Sequence, residues 1–379
     1  MAHEKAVITN RERASLRYDI VGSFLRPAPL KAARAAHAEG RIDDAELEGV
    51  ENEAIARLVE QERAAGLRAV TDGEFRRSYW HLDFFWGFEG IDHVQMDRGY
   101  LFHGVETRAD SARVSGKIRF EGHPFLGHYR YLREVAGQDV VARQTIPAPA
   151  QLLAELVRGV NREALDRIYP DREELHRDIA QAYRAAIRGF YDLGCRNLQL
   201  DDCTWGMLCD ARFRETAARN GTDFGMLQET YLNLNNEAIS GLPEDLVLTT
   251  HVCRGNYRST WAASGGYEPV AEALLGRSAV SAFYLEYDTE RAGGFEPLAL
   301  VPSNKQIVLG LVSSKQAELE NPEAVANRIR EAAQVVPLDR LCLSTQCGFA
   351  STEEGNLLTE ERQWEKIALV REVAESVWG

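Results

Sequence analysis

The sequence predicts a TIM (β/α)8 barrel of the α/β class, with an aromatic-rich insertion after its second strand. Eight short apolar segments follow one another along the 379 residues, and helical patterns separate most of them. Alternating strands and helices indicate a parallel sheet, and eight such units fit a barrel. Polar side chains also collect where these segments end, which is where such barrels carry their functional residues.

The composition narrows the class of protein. The net charge is -14 and the sequence pI is about 5.2, which argues against nucleic acid as a partner, because binding phosphates needs a basic surface. No apolar run reaches the ~20 residues of a membrane span, and residues 1–13 lack the apolar core of a signal peptide. We therefore expect a cytoplasmic protein without a membrane partner; a homo-oligomer is left open.

Six cysteines without a CxxC pair indicate metal binding, catalysis or burial rather than disulfides.

Local patterns predict the first four strands and their helices. Residues 19–24 form an apolar segment that ends in a Gly-Ser turn, and the proline-rich stretch 26–29 is expected to break the chain after it. Asp43 or Asp44 is a suitable N-cap for a long helix that ends near Gly66. Further strands are predicted over 67–72, 142–147 and 197–202, with a helix over 173–193 before the last of them.

The segment 75–143 differs from the rest of the chain. Aromatic residues cluster in its first part, from Trp80 to Phe88, and its later part, 113–120, has the pattern of a strand. We interpret it as an insertion that packs over one end of the barrel, within a single domain spanning residues 1–379. An aromatic cluster is more often core than binding site, so core packing is the favoured interpretation.

The second half of the chain is predicted to complete the barrel with four more strands and their helices. The strands are expected over 246–251, 282–287, 306–310 and 341–344, and the helices over 223–240, 269–275, 322–335 and 359–377.

His251 and Cys253 stand one residue apart at the end of the fifth predicted strand. Because side chains alternate along a strand, both should point to the same face. An imidazole and a thiolate together suit zinc better than a hard cation such as magnesium. The pair alone is a weak indication, and without further ligands a buried histidine beside a free cysteine would be the better interpretation.

Two further strand ends supply further ligands. Glu286 ends the sixth predicted strand, and Cys347 follows the eighth. Taken alone, Glu286 could be a salt-bridged carboxylate and Cys347 an inert buried thiol. With His251 and Cys253 they make a four-ligand set of the kind that binds zinc tetrahedrally. A site with two thiolates favours binding and activating a third, which is chemistry for S-alkylation rather than hydrolysis.

These motifs resemble a known family. The HxC…E…C spacing, Val-Gly-Ser at 21–23, Asp-Gly-Glu at 72–74 and Gln-Leu-Asp-Asp at 199–202 are similar to the C-terminal catalytic barrel of cobalamin-independent methionine synthase, and above all to its stand-alone, single-barrel relatives. The likeness runs from about Asp19 to the C-terminal helix. It implies zinc bound by His251, Cys253, Glu286 and Cys347, a homocysteine carboxylate held by Val21, Gly22 and Ser23, and its amino group held by Glu74 and Asp201.

Two departures from the family pattern concern the methyl donor. The family has a catalytic histidine after the seventh strand and a tryptophan near the folate site after the third, but 309–315 and 146–150 contain neither. Thiol activation is therefore predicted to be retained, with a corrinoid protein or a small methylated compound as alternatives to methyltetrahydrofolate. Asp202 is the candidate catalytic residue. The histidines of the insertion are candidate replacement proton donors: His81, His103, His123 and His128. The remaining cysteines are interpreted as buried thiols: Cys195, Cys203, Cys209 and Cys342.

The sequence thus predicts a zinc-dependent S-methyltransferase acting on homocysteine or a close analogue in methionine biosynthesis, similar to 5-methyltetrahydropteroyltriglutamate-homocysteine S-methyltransferase. An alternative is an enzyme of the epoxide:coenzyme M transferase type. Its thiol carries a sulfonate, so Arg254 and Lys315 keep this alternative open, while Glu74 and Asp201 favour an amino-acid thiol. A third hypothesis is a zinc-stabilised binding protein without turnover, although a carboxylate ligand at a barrel rim is unusual for a closed structural site.

Overall fold

The computed structural model describes residues 17–159 and 161–379, so the segment considered above for a signal peptide lies outside the described residues. Eight parallel strands surrounded by helices form the barrel, which confirms the predicted fold. Among the described residues, no helix has the length and apolar character needed to cross a membrane. The strands are β1 (Tyr18–Asp19), β2 (Ala69–Val70), β3 (Glu89–Gln95), β4 (Leu101–Phe102), β5 (Val105–Glu106), β6 (Asp110–Arg119), β7 (Val141–Pro147), β8 (Asn197–Asp202), β9 (Val247–Val252), β10 (Ala282–Glu286), β11 (Gln306–Val312) and β12 (Leu341–Thr345).

The parallel sheet has the strand order β1-β12-β11-β10-β9-β8-β7-β2. The segments after β1 and β2, at the two ends of this order, are joined by a hydrogen bond from the Phe24 N–H to the Gly73 carbonyl at 3.1 Å. Both strands are shorter than the predicted 19–24 and 67–72, because the chain leaves the ladder early to form the loops that carry polar residues.

The long helices lie close to their predicted positions. The Asp43 side chain accepts from the Glu46 N–H, and Glu46 reaches back to the Asp43 N–H, so a capping box starts the second helix as expected. The predicted break at 26–29 is wrong: a helix begins there, because proline is tolerated in a first helical turn. The helices are α1 (Ala28–Ala38), α2 (Asp44–Ala64), α3 (Leu82–Phe85), α4 (Pro124–Ala136), α5 (Pro149–Leu156), α6 (Asn161–Ile168), α7 (Arg172–Asp192), α8 (Thr204–Cys209), α9 (Ala211–Arg219), α10 (Phe224–Ile239), α11 (Pro322–Ala332) and α12 (Glu360–Trp378).

One predicted helix has a different form. The stretch 269–275 contains a 3-10 turn, Glu268–Val270, followed by a π-helical turn, Glu272–Gly276.

The segment between β2 and β7 contains two small antiparallel pairs, β3 with β6 and β4 with β5, together with α3 and α4. Phe84, Phe85 and Phe88 are buried in the main hydrophobic core, as the core interpretation of this aromatic cluster expects. The tip of the segment, around β4, reaches the region above the carboxyl ends of the barrel strands, where Phe102 packs against Tyr257 with ring centroids 5.4 Å apart.

A buried ion pair crosses the barrel interior. Arg143 on β7 binds both carboxylate oxygens of Asp19 on β1, at 3.0 and 2.6 Å, and the Tyr284 hydroxyl on β10 donates to the same carboxylate at 2.7 Å. Both oxygens of the buried Asp19 carboxylate therefore accept hydrogen bonds, and the Arg143 guanidinium balances its negative charge, as a buried charge requires.

The buried carboxyl group of Glu62 on α2 has a hydrogen-bond partner for only one of its two oxygens among the described residues. One of its oxygens accepts from the Thr71 N–H at 3.1 Å, while the other has no hydrogen-bond partner in the described part of the chain. Burial raises the pKa of this carboxyl well above its usual range. Its contribution to stability is then fully present below the ordinary glutamate pKa of ~4.3 and is lost as the pH rises through the folded-state pKa.

Glu62→Gln is therefore expected to raise the free energy of unfolding by about 1–3 kcal/mol at neutral pH, and by less in acid. Urea unfolding across a pH series measures this difference. Glu60, exposed on the same helix, provides the control: Glu60→Gln should leave the profile unchanged. A lower stability of the Glu62→Gln variant at neutral pH would contradict the prediction.

Candidate metal centre

Four potential metal ligands meet at the carboxyl ends of three barrel strands. His251 lies near the end of β9 and Cys253 just after it, Glu286 is the last residue of β10, and Cys347 follows β12. One ligand atom from each lies within 4.8 Å of all the others, and all four side chains are buried. The structure thus brings together the four residues that the sequence analysis placed at strand ends.

His251 has one ring nitrogen committed and one free. Its Nδ1 lies 3.3 Å from the Tyr284 carbonyl, which orients the ring. Its Nε2 is buried and has no hydrogen-bond partner among the described residues. Metal-binding histidines typically have this arrangement, with the second nitrogen held by a backbone carbonyl.

Glu286 is held as a carboxylate by its surroundings. The Arg254 N–H donates to one oxygen at 3.0 Å, and Arg291 lies 3.4 Å from the other. Burial alone would raise the pKa of Glu286, but the positive charges of Lys315, Arg291 and Arg254 outweigh it and lower that pKa. The group is therefore ionised, as a metal ligand must be.

The thiols are crowded. Cys253 Sγ and Cys347 Sγ are 3.7 Å apart, and the Gly255 N–H donates to Cys253 Sγ at 3.3 Å. A hydrogen bond with Cys203 raises the pKa of the Cys253 thiol well above its usual range, and one with Cys253 does the same for Cys347. Two thiols this close are both deprotonated only when a cation lies between them.

The donor set therefore fits a metal ion. It combines two thiols, a free imidazole nitrogen and an ionised carboxylate in one buried cluster. This mixture of sulfur, nitrogen and a single oxygen suits zinc rather than magnesium or calcium.

A cavity lies beside the cluster and is lined by His251, Cys253 and Cys347. Cys203, interpreted from the sequence as a buried thiol, also lines this cavity and contacts Cys253. Sequence spacing did not reveal it, because it follows a different strand, β8, and only the barrel brings the two thiols together.

Two carboxylates lie beside the metal centre in the same cavity. Glu74 and Asp201 both line it, and both are buried. Glu74 adopts a left-handed backbone conformation with φ of 61°, which is strained for a residue other than glycine and is often found at functional sites. Arg77 and Thr145 contact one of its oxygens, at 3.1 and 3.0 Å, while the other has no partner in the described ranges.

The two carboxylates repel each other. Burial raises the pKa of Asp201 well above its usual range, and the charge of Glu74 raises it further. Burial likewise raises the pKa of Glu74, although Arg77 and Arg26 partly offset this. A cation placed between them would remove the repulsion, so the pair is suited to an ammonium group.

The loop 21–23 follows β1 into the same cavity, which Val21 and Ser23 line. Gly22 has φ of +147°, and a Cβ there would lie 2.9 Å from a methyl group of Thr145. A Cβ on Gly348, next to Cys347, would lie 2.0 Å from the Ser23 hydroxyl oxygen. Glycine at both positions therefore allows this loop to lie directly against the metal centre.

Asp202 points away from the cavity. One carboxylate oxygen accepts from the N–H and the hydroxyl of Thr204, and the other accepts from Asn235 at 2.9 Å. These contacts orient the start of α8 and the end of β8. The catalytic role suggested by the sequence stays a prediction.

Aromatic residues form part of the wall of the cavity. Sequence reasoning treated the cluster from Trp80 to Phe88 as core and did not single out the other three wall residues, so it missed all four as site residues. The segment after β2 and the tip around β4 place these rings over the barrel, an arrangement that strand periodicity cannot show. They are Tyr79, Trp80, Tyr100 and Phe102.

The histidines of this segment do not line the cavity. Buried His81 lies nearest, with Nε2 2.9 Å from the Tyr100 hydroxyl, and burial lowers its pKa to about 3. Both ring nitrogens of His123 are used, one near the Phe84 carbonyl and the other accepting from the Phe125 N–H. His103 stacks on Trp261. None of these contacts presents a histidine proton to the cavity.

Comparisons with known proteins identify relatives that match nearly the whole chain. An uncharacterised protein from Bacillus subtilis is 48% identical, over 97% of this chain and 96% of that protein. The structure of a putative vitamin-B12-independent methionine synthase from Listeria monocytogenes is 40% identical, with a TM-score of 0.76 over 97% of this chain and 99% of that one. No family model matches the chain.

More distant relatives include two enzymes. A methionine synthase from Saccharolobus solfataricus is 21% identical over 87% of each chain. A 2-hydroxypropyl-CoM lyase from Xanthobacter autotrophicus is 22% identical over 89% of this chain and 90% of that protein.

Proposed function

Because the chain belongs to the cobalamin-independent methionine synthase family, we propose that it is a zinc-dependent S-methyltransferase whose acceptor is homocysteine or a close thiol analogue. The observation that carries this proposal is the pairing, in one cavity, of a two-thiol metal centre with two buried, mutually repelling carboxylates. Such a cavity fits a ligand with a thiol at one end and an ammonium group at the other. We take residues 1–379 as a single catalytic domain, with 75–143 as an insertion.

The four clustered residues, His251, Cys253, Glu286 and Cys347, would hold the zinc ion. When bound, zinc lowers the pKa of a coordinated thiol, so that a substrate thiol reacts as a thiolate at neutral pH. The Tyr284 carbonyl and the Arg254 N–H orient the histidine and the glutamate, and Lys315, Arg291 and Arg254 keep the glutamate ionised.

The ammonium and carboxylate groups of the acceptor would be held by residues that follow other strands of the barrel. Glu74 and Asp201 bind the ammonium group through the carboxylate oxygens that face the cavity. Val21, Gly22 and Ser23 hold the carboxylate through backbone N–H groups and the Ser23 hydroxyl, which accepts from the Ala350 N–H at 3.3 Å and keeps its own proton to donate. Fixing both ends directs the sulfur to the metal ligands.

The aromatic wall limits access of water to the sulfur. Tyr79 is buried and Trp80 and Phe102 are half-buried, so the cavity opens only partly to solvent. A less polar cavity makes a thiolate more reactive because it is less strongly solvated.

The alternative acceptor, a sulfonate thiol of the coenzyme M type, has less support. Such a thiol needs a cation for its sulfonate, yet no lysine or arginine of the described ranges lines the cavity. Arg254 already donates to Gly265 and Tyr267. A binding protein without turnover is likewise less well supported, because the ligands border a cavity that is partly open to solvent instead of a closed core.

Zinc X-ray absorption with and without homocysteine tests the proposal. We expect one additional sulfur in the zinc coordination shell when homocysteine is added. 2-Mercaptoethanesulfonate, a sulfonate thiol without an amino group, should give no such change at the same concentration. An unchanged shell with homocysteine would refute the proposed acceptor site.

A further inference from the structure

The aromatic wall, formed by Tyr79, Trp80, Tyr100 and Phe102 in the cavity that the metal ligands also line, indicates which compound delivers the methyl group. We propose that the donor is a small methyl-onium cation, a methylated sulfonium or quaternary ammonium compound, bound by this wall and facing the acceptor thiol. The inference rests on the proposed function, because it concerns the second substrate of the same cavity. It assigns a chemical class to the donor that the sequence left open.

The wall consists of aromatic side chains. Trp80 and Phe102 line the cavity with Tyr79 and Tyr100. Aromatic rings attract onium cations through the negative charge of their faces, and cages of such rings recognise quaternary ammonium groups in proteins. Two of these rings already pair with cations outside the cavity lining: Arg108 lies 5.1 Å from the Tyr79 ring centre and Arg158 lies 4.0 Å from that of Tyr100.

These two arginines do not make the wall electropositive. Arg108 pairs with Glu353 at 2.7 Å, and Arg158 pairs with Glu155 at 3.4 Å. Each charge is thus neutralised by a carboxylate.

The charges that line the cavity disfavour an anionic donor. Its charged side chains within 17–159 and 161–379 are the carboxylates Glu74 and Asp201, without a lysine or arginine. An anionic donor such as a polyglutamylated compound would find no cationic partner in this lining. Once the ammonium group of homocysteine has neutralised Glu74 and Asp201, a cationic donor would meet an uncharged aromatic surface.

The chemistry of an onium donor suits the groups present. The acceptor thiolate attacks the methyl carbon, the new S–C bond forms, and the old C–S⁺ or C–N⁺ bond breaks. Its electron pair stays on the leaving atom, which departs as a neutral thioether or amine without needing a proton. The thiol proton is released to solvent when the thiolate forms.

A neutral amine donor would require an acid at the leaving nitrogen, and the wall has none free. The Tyr100 hydroxyl donates to Glu155 at 2.7 Å, and the Tyr79 hydroxyl lies 3.2 Å from both the Arg108 carbonyl and Asp110. Burial raises the pKa of both phenols. These hydroxyls are therefore committed to protein acceptors and are weak acids.

A donor screen with isotope-labelled methyl groups tests the inference. Zinc-loaded protein is incubated with homocysteine and one CD3-labelled donor at a time, and labelled methionine is measured by mass spectrometry. The donors are S-methylmethionine, dimethylsulfoniopropionate, glycine betaine, 5-methyltetrahydrofolate and methylcobalamin. We expect label from at least one onium compound; the sulfonium and betaine arms show which onium class is used. Label only from 5-methyltetrahydrofolate or methylcobalamin, or from no donor, would overturn the inference.

Substitutions in the wall separate the cation site from the rest of the cavity. Trp80→Leu and Phe102→Leu should each lower kcat/KM for the onium donor about tenfold, and Trp80→Phe should restore most of the loss. Trp86 lies in the same insertion but stacks on His93 away from the cavity, so Trp86→Leu is the matched control and should change little. Circular dichroism checks that each variant is folded. Equal losses in all three leucine variants would contradict the proposed site.

Binding of a non-reactive cation gives a readout independent of turnover. By calorimetry, choline should bind the protein about tenfold more tightly than 3,3-dimethylbutanol, its neutral carbon analogue, and Phe102→Leu should reduce this difference. Equal affinities would refute the cation site. Homocysteine binding, followed by zinc X-ray absorption on the same samples, distinguishes the two failures: if sulfur enters the zinc shell but no onium donor reacts, only the donor inference fails.

Discussion

Replacing Cys347 with alanine is expected to remove zinc from the purified protein and to lower methyl transfer about a thousandfold, equivalent to ~4 kcal/mol of transition-state stabilisation. The variant retains three of the four clustered ligands, but it loses the sulfur that lies 3.7 Å from Cys253. With a single protein thiolate left, the site would bind zinc too weakly to survive purification. Metal content by mass spectrometry and the rate of methionine formation measure the two effects.

Cys342 provides a matched control for this experiment. It is a buried cysteine on β12, the strand that precedes Cys347, but it packs against Tyr284 and Val308 inside the barrel. Cys342→Ala should therefore retain zinc and activity. Cys203→Ala is the sharper comparison, because Cys203 touches Cys253 without belonging to the four-residue cluster. If Cys203→Ala lost as much zinc as Cys347→Ala, the four-ligand assignment would be wrong.

The metal cluster could be located from the sequence because its ligands follow the regular part of the fold. His251, Cys253, Glu286 and Cys347 are at or just beyond strand ends, and a parallel barrel brings all strand ends to one rim. Once eight strands are recognised in the sequence, their order in the barrel is enough to predict that these four residues lie close together. The same argument brings Glu74 and Asp201 to that rim.

The aromatic wall could not be located in this way. Trp80 and Phe102 belong to a segment whose position depends on its own small sheets and on packing over the barrel. Apolar rings have the same composition in a core as in a ligand-binding wall, so only the three-dimensional arrangement separates Phe84, which is core, from Phe102, which lines the cavity. The residues proposed here to bind the methyl donor were therefore not predicted from the sequence, whereas those proposed to bind the acceptor were.

Asp201→Asn should raise the stability of the protein at neutral pH but weaken its binding of the acceptor. Burial and the nearby charge of Glu74 raise the pKa of Asp201 in the folded protein. Its favourable contribution to stability is thus present below the ordinary aspartate pKa of ~3.9 and is lost as the pH rises through the folded-state pKa. The neutral amide removes this cost, so the variant should unfold at higher urea concentration at neutral pH, with the gain shrinking in acid.

The same substitution should weaken homocysteine binding. Losing one charged partner of a buried ammonium group costs about 1.5–3 kcal/mol, so the KM for homocysteine is expected to rise about 10- to 100-fold. The matched ligand control is 4-mercaptobutyrate, which has the same thiol and carboxylate but no amino group. The wild-type protein should prefer homocysteine strongly, and the Asp201→Asn variant should lose much of that preference.

Glu74→Gln extends this test to the second carboxylate. Arg77 would keep its contact with the remaining carbonyl oxygen, while the negative charge that faces Asp201 would be gone. If the two residues share one ammonium ion, the double variant should bind homocysteine no better than 4-mercaptobutyrate, and the two single losses should not add. An undiminished preference for homocysteine in the double variant would show that the amino group binds elsewhere. The buried carboxylates would then be a stability cost without a role in acceptor recognition.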